Sequence, residues 1–156
     1  MTRKIGAIAE RLGTTVRTLR FYEEQGLVHP RRTPGGTRVY DAEDEQRFAA
    51  LLVLARLGFS LETLADLAGI RPASRSGEEA SHMVGEKLQS MDAELEERAR
   101  AIERQRADIK RARAFVQGCR GCRKRPVRAV CDACEISRGF GHIGILRVVW
   151  DEPARD

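Results

Sequence analysis

The chain has 156 residues, 28 Lys+Arg against 23 Asp+Glu, and a formal net charge of +5, a length that suits one ordinary domain or two small ones. With aromatics at 5% and charged residues at 33%, the composition disfavours a large self-contained core and favours helices that rely on a partner. No apolar run approaches the ~18–20 residues of a membrane span and the charged N-terminus lacks a signal-peptide core, so the expectation is a cytoplasmic protein with no membrane partner.

Residues 1–40 carry eight basic side chains against Glu10, Glu23 and Glu24, an excess equal to that of the whole protein. A cationic first module suits a polyanion, because neutralising phosphates releases counterions. Ile5, Ile8, Ala9 and Leu12 follow helical spacing up to Gly13. Thr14 is placed to cap a second helix, with Val16 and Leu19 inward and Gly26 as its stop. Two short helices across a tight turn make a helix-turn-helix candidate. Leu27-Val28-His29 and Arg38-Val39-Tyr40 flank Pro34-Gly35-Gly36 and read as the two arms of a β-hairpin wing.

On this reading several side chains face DNA. Arg17 and Arg20 lie opposite Leu19 on the outward side of the second helix, within reach of bases or phosphates. Thr15 sits at that helix's N-terminal end, where exposed N–H groups favour a phosphate. Tyr22 offers a hydroxyl to the backbone or sits half-buried in the core. Arg38 reads as a phosphate clamp in the wing, and Tyr40 either adds a hydroxyl contact or braces the wing on the third helix. Arg31 and Arg32 are either further contacts or solvated charge.

Asp41 heads a third helix with Phe48, Leu51, Leu52 and Ala55 inward, and Ser60 heads a fourth with Leu61, Leu64 and Leu67 on one stripe. Gly, Pro and Ser residues from about 70 to 78 read as a linker between a DNA-binding domain, 1–69, and a dimerisation helix, 79–117. Ser76 and Glu79 stand at capping-box spacing before that helix, whose first turn begins near Gly77 and which would extend on the order of 60 Å. Leu88, Leu95, Ile102, Ile109 and Val116 recur every seven residues; the companion row Val84, Met91, Arg98, Gln105 and Ala112 is polar in its middle. A seam of this length asks for a second helix, which points to a homodimeric coiled coil. The alternative is a helix folding back on its own chain.

The tail, 118–156, holds all four cysteines: Cys119-Arg120-Gly121-Cys122, eight residues, then Cys131-Asp132-Ala133-Cys134. In a reducing compartment this clustering points to metal or redox chemistry rather than a disulfide framework. Two Cys-x-x-Cys knuckles can supply a tetrahedral four-thiolate site, and the intervening Arg123, Lys124, Arg125 and Arg128 offset its negative charge. Zinc or another thiophilic ion accounts for all four residues, and so does a [2Fe–2S] cluster. An ion there is either a sensor or purely a fold staple. His82 and His142 read as packing or surface histidines, Trp150 as cover for apolar surface, and His142 to Trp150 as one strand.

Ile5-Gly6-Ala7-Ile8-Ala9, Val16-Arg17-Thr18-Leu19-Arg20-Phe21-Tyr22-Glu23 with Gly26-Leu27, Arg38-Val39-Tyr40 and Gly58-Phe59-Ser60-Leu61 together resemble the MerR family of transcription regulators. The resemblance is dense over 3–67 and extends in architecture to about 118. It implies a mainly α fold: a winged helix-turn-helix, a long dimerisation helix forming an antiparallel coiled coil in the dimer, and a small cysteine-rich tail with a short strand. It further implies a homodimer on palindromic double-stranded promoter DNA, distorting that DNA so that RNA polymerase engages both promoter elements. Within the family, Gly118-Cys119-Arg120-Gly121-Cys122 is similar to the start of the SoxR-type [2Fe–2S] segment, while Cys122 and Cys131 resemble the metal loop of mercury-type members. Those also use a cysteine near the start of the partner's long helix, where this chain has Ser81 and His82. No enzyme is expected. A thiol–disulfide oxidoreductase is the competing class, but the βαβ context and a base are missing.

Overall fold

The computed structural model describes residues 2–137 and 143–149. The order is α1 (Ile5–Arg11), α2 (Val16–Glu24), β1 (Arg31–Arg32), β2 (Arg38–Val39), α3 (Ala42–Arg56), α4 (Leu61–Ala73), α5 (Gly77–Gln117) and α6 (Arg128–Cys131), followed by a 3₁₀ turn at Gly144–Val148. Two compact units emerge, Met1–Asp92 and Ala93–Asp156.

In the first unit, side-chain caps set where the helices begin. The α2 cap is Thr15, one residue later than expected, and its hydroxyl accepts the Thr18 N–H. Asp41 and Asp44 form a reciprocal capping box at α3, and Ser60 accepts the Thr63 N–H at α4. Gly13, Gly26 and Gly58 follow α1, α2 and α3 with φ of 60°, 69° and 92°, a region that a Cβ disfavours. Ile8, Leu19, Leu27, Val28, Tyr40 and Phe48 are the most deeply buried side chains and form the centre of this unit.

Two expectations change here. The first arm of the wing is Arg31–Arg32, which pairs antiparallel with Arg38–Val39, rather than Leu27 to His29. Leu27 and Val28 are wholly buried, so they serve the core, and the hairpin closes over Thr33 to Thr37 through Gly36 N–H to Thr33 O (2.8 Å) and Thr33 N–H to Thr37 O (2.9 Å). Tyr40 continues the wing by pairing with Arg3. Helix α4 runs on through Gly69 and Pro72 to Ala73, which shortens the expected linker to residues 74–76. Ile70 anchors that last turn in the core, and the Ser74 hydroxyl donates to its carbonyl at 2.7 Å. Proline removes one helical donor, a small loss so close to the end of a helix.

Helix α5 starts where Ser76 Oγ accepts the Glu79 N–H (3.1 Å), with the Glu79 carboxylate reaching back to the Arg75 N–H (2.8 Å). Its charged side chains pair along the helix, among them Arg100–Glu96 and Arg104–Glu97 at 2.9 Å and Arg106–Glu103 at 2.6 Å. The main apolar row stays open within the chain: Leu88 is 51% exposed, Ile102 60%, Ile109 42% and Val116 46%. The companion row behaves otherwise, with Met91 and Ala112 buried.

Ala112 is covered by Ile143 and Leu146, with Phe115 against them. This cluster explains why the described part of the expected strand is a 3₁₀ turn. At three residues per turn, Ile143 and Leu146 stack on one side, where they meet α5; an extended chain would turn them to opposite faces. The second unit contains no strand among its described residues. His142 and Trp150 lie outside the described residues. The four-residue α6 was not anticipated.

Candidate nucleic-acid interface and cysteine centre

Arg17 and Arg20 are exposed on α2, and together with Val16, Thr18, Phe21 and Glu24 they line an open groove along the helix. Thr15 is also exposed, and its side chain is committed to the cap, with Thr18 Oγ1 at 2.9 Å as well. Tyr22 is buried in the core, and that burial raises its phenol above the ordinary value, against the opposing charge of Arg56.

The wing is tied to α2 by a carboxylate that sequence reasoning passed over. Glu23 Oε1 meets Arg38 Nε at 2.6 Å, and Glu23 Oε2 accepts the Tyr40 hydroxyl at 2.7 Å. Tyr40 is 1% exposed and its ring lies 5.7 Å from that of Phe48. Of the two roles weighed for Tyr40, the geometry favours the brace, since its hydroxyl is already spent on Glu23. Burial, then the hydrogen bond and charge of Glu23, hold this phenol far above its usual range. Glu23 stood out as one of three acids in a basic segment and as the end of the family-like stretch 16–23, with no role assigned; its partners lie 15 and 17 residues away across a turn whose shape the sequence left open.

Other carboxylates organise the same region. Glu45 receives Arg3 and Arg11, each at 2.7 Å, which ties the chain start and α1 to α3. Arg31 pairs with Asp41 at 2.9 Å, and Arg32 donates to the Gly36 carbonyl at 3.3 Å. Hydrogen bonds to these acids depress their carboxyls: Glu45 chiefly through Arg11, Asp41 chiefly through the Asp44 N–H.

In the second unit each Cys-x-x-Cys is closed by a backbone hydrogen bond from its second cysteine to its first. The Cys122 N–H donates to Cys119 O at 3.1 Å and the Cys134 N–H to Cys131 O at 2.9 Å. Gly121 supplies the positive φ of the first turn, 80°. The first turn follows α5 directly, with Gly118 and Cys119 donating to Phe115 O and Val116 O. A Cβ on Gly118 would stand 3.3 Å from Ile136 Cγ2, so the second knuckle's neighbour closes tightly on the helix end. All four cysteines are free thiols, with Cys119 and Cys122 exposed and the others half-buried. The Cys131 thiol is pushed up by partial burial first, then by the charges of Cys119, Cys122, Cys134 and Asp132. Four thiols in one short segment are a chemically complete soft donor set. Among the described residues, no three donors stand close enough together to hold an ion as they are. His82 lies on α5 beside Glu86, at 3.4 Å.

Residues 3–69 match the family described as MerR HTH family regulatory protein. The transcriptional regulator ZntR of Escherichia coli is 36% identical over 107 residues, which is 65% of this chain and 76% of that protein. The chain belongs to the MerR family. Another MerR-type relative, the mercuric resistance operon regulatory protein of Serratia marcescens, is 35% identical over 97 residues, 62% of this chain and 67% of that one. Among solved structures, a MerR family regulator lacking the sensor domain, bound to promoter DNA, superposes with a TM-score of 0.60. It is 24% identical, with coverage of 78% of this chain and 95% of that one, a likeness that speaks for the fold. As a MerR-family protein the chain is a DNA-binding transcriptional regulator and not an enzyme, and no described helix is long and apolar enough to cross a membrane.

Proposed function

We propose that this MerR-family regulator works as a homodimer whose promoter-distorting activity answers to a metal centre held by Cys119, Cys122, Cys131 and Cys134. The observation that carries the reading is the two Cys-x-x-Cys segments of the tail, each closed by a backbone hydrogen bond from its second cysteine to its first, with the first set directly after the long helix. Two such knuckles form the usual frame of a four-thiolate zinc site, and the relative that regulates mercuric resistance supports a thiophilic ion. Bound there, zinc or a similar soft ion would supply strong thiolate coordination that favours one arrangement of the tail. Arg120, Arg123, Lys124, Arg125 and Arg128 lie between the cysteines in sequence, and cations so near would offset the negative charge of four thiolates.

The open row from Leu88 to Val116 supports dimerisation through α5, in an antiparallel coiled coil. Thr15, Arg17, Arg20 and Arg38 are the proposed DNA contacts, with Tyr22 and Tyr40 supporting them from the core. The promoter is then a palindromic duplex, with RNA polymerase engaging DNA that the dimer has reshaped.

Anaerobic purification followed by metal analysis and a visible absorption spectrum tests the centre. The expected result is a colourless protein with one zinc or related ion per chain. Red-brown protein containing iron and sulfide would replace this reading with a [2Fe–2S] redox sensor. In vitro transcription with and without the ion separates sensor from staple: unchanged output on a still-folded protein would assign the ion to folding alone.

A further inference from the structure

Where the wing meets the start of α1 and the middle of α2, a shallow cleft of about 280 Å³ is lined by Lys4, Arg20, Thr37, Arg38 and Tyr40 among others. Three of these residues are cations, each from a different segment of the chain, and no carboxylate is among the described lining residues. The surrounding basic residues are differently placed: Arg3, Arg11 and Arg31 each pair with an acid on α3 or its cap. Lys4 and Arg20 are exposed and form no ion pair among the described residues. Glu23 offsets the charge of Arg38, and Lys4 and Arg20 leave the cleft with a positive excess that favours an incoming anion.

Arg38 reaches the cleft with its orientation already set. Glu23 engages its Nε at 2.6 Å, and a guanidinium has five donor hydrogens, so others remain for an anion. Glu23 is itself fixed by the Tyr40 hydroxyl from below. The arrangement suits a phosphate: a small anion with several acceptor oxygens that can receive donors from three sides.

We propose that Lys4, Arg20 and Arg38 form one site for a single backbone phosphate of duplex DNA, with Glu23 as the positioning residue that presents Arg38 to it. This rests on the DNA-binding function of the family and adds to it Lys4 as a contact and a backbone role for Arg20. A backbone site fixes register on the duplex and carries no base information.

The test uses the full chain and a duplex selected by that chain from a random-sequence pool, with affinity followed by fluorescence anisotropy between about 50 and 200 mM salt. Lys4→Ala should weaken binding about tenfold on selected and scrambled duplexes alike and flatten the salt dependence by about one unit of log–log slope. Lys4→Arg should restore both. Glu23→Gln should weaken binding when Arg38 is present and have no further effect in an Arg38→Met background, which a general loss of structure would not reproduce. A Lys4→Ala chain with unchanged affinity and slope, beside an Arg17→Ala chain that is weakened, overturns the site and leaves DNA binding intact. Loss of all duplex binding in the unaltered chain at low salt would instead overturn the DNA-binding reading. Should Lys4→Ala fold poorly, single methylphosphonate replacements in the duplex decide the question with the unaltered protein: one sensitive phosphate per half-site supports the site, and uniform insensitivity overturns it.

Discussion

Tyr40 and Glu23 show how much of this protein depends on pairs that lie far apart in sequence. Tyr40 donates to a half-buried carboxylate, a hydrogen bond of the stronger, charged kind. Tyr40→Phe is therefore expected to cost roughly 1.5–3 kcal/mol in chemical denaturation while leaving the ring on Phe48. Glu45 and Asp41 make the N-terminal unit sensitive to acid. Their folded carboxyls are depressed, so their contribution is fully present above the ordinary carboxylate range, near ~4, and disappears as pH falls through the lower folded values. Thermal melts from neutral pH down to about 3 should show the midpoint falling, and Glu45→Gln should flatten that fall; an identical slope would remove Glu45 from the account. The cationic residues of this region were legible as single letters. What they pair with was not, because Arg3, Arg11 and Glu45 meet only once α1 and α3 are packed.

At the scale of elements, sequence reasoning succeeded where local chemistry decides. Asp41, Ser60 and Ser76 begin helices as their spacing implied, because a cap needs only the next three residues. It failed where packing decides. Leu27 and Val28 look like a strand and are core. The apolar run after Gly144 looks like a strand too, yet in its described part it folds as a 3₁₀ turn against α5. That turn also settles one question about the seam: Ala112 already has its cover, so the row from Leu88 to Val116 is what remains for a partner. Ile102→Lys is placed in the most exposed member of that row and should shift the chain toward monomer in sedimentation equilibrium, weakening self-association by about two orders of magnitude or more. Lys at Arg100, by contrast, keeps the charge beside Glu96 and should leave association unchanged.

For the whole molecule, the order of parts was readable from one end to the other: cationic head, helical pair, long helix, thiol tail. The family resemblance in Ile5 to Glu23 and in Arg38 to Tyr40 carried that order, and the match over 3–69 agrees with it. The arrangement of the tail was less accessible. Spacing gave the two knuckles, while α6 and the closeness of Ile136 to Gly118 depend on how a short basic spacer folds back. Cys131→Ser is expected to abolish stoichiometric metal retention and metal-dependent transcription while duplex affinity changes less than threefold, because the cysteines and the DNA contacts belong to separate units. Equal loss of both activities would mean that the centre is needed for folding.

The first thiol turn continues α5 without a joint, since Gly118 and Cys119 hand their amide hydrogens back to the helix. Tension on those sulfurs is therefore tension on the last helical turn. Deuterium uptake at Phe115 to Cys119 should slow when the tail is loaded and recover when a chelator strips it, making the end of the rod a gauge of what the cysteines hold.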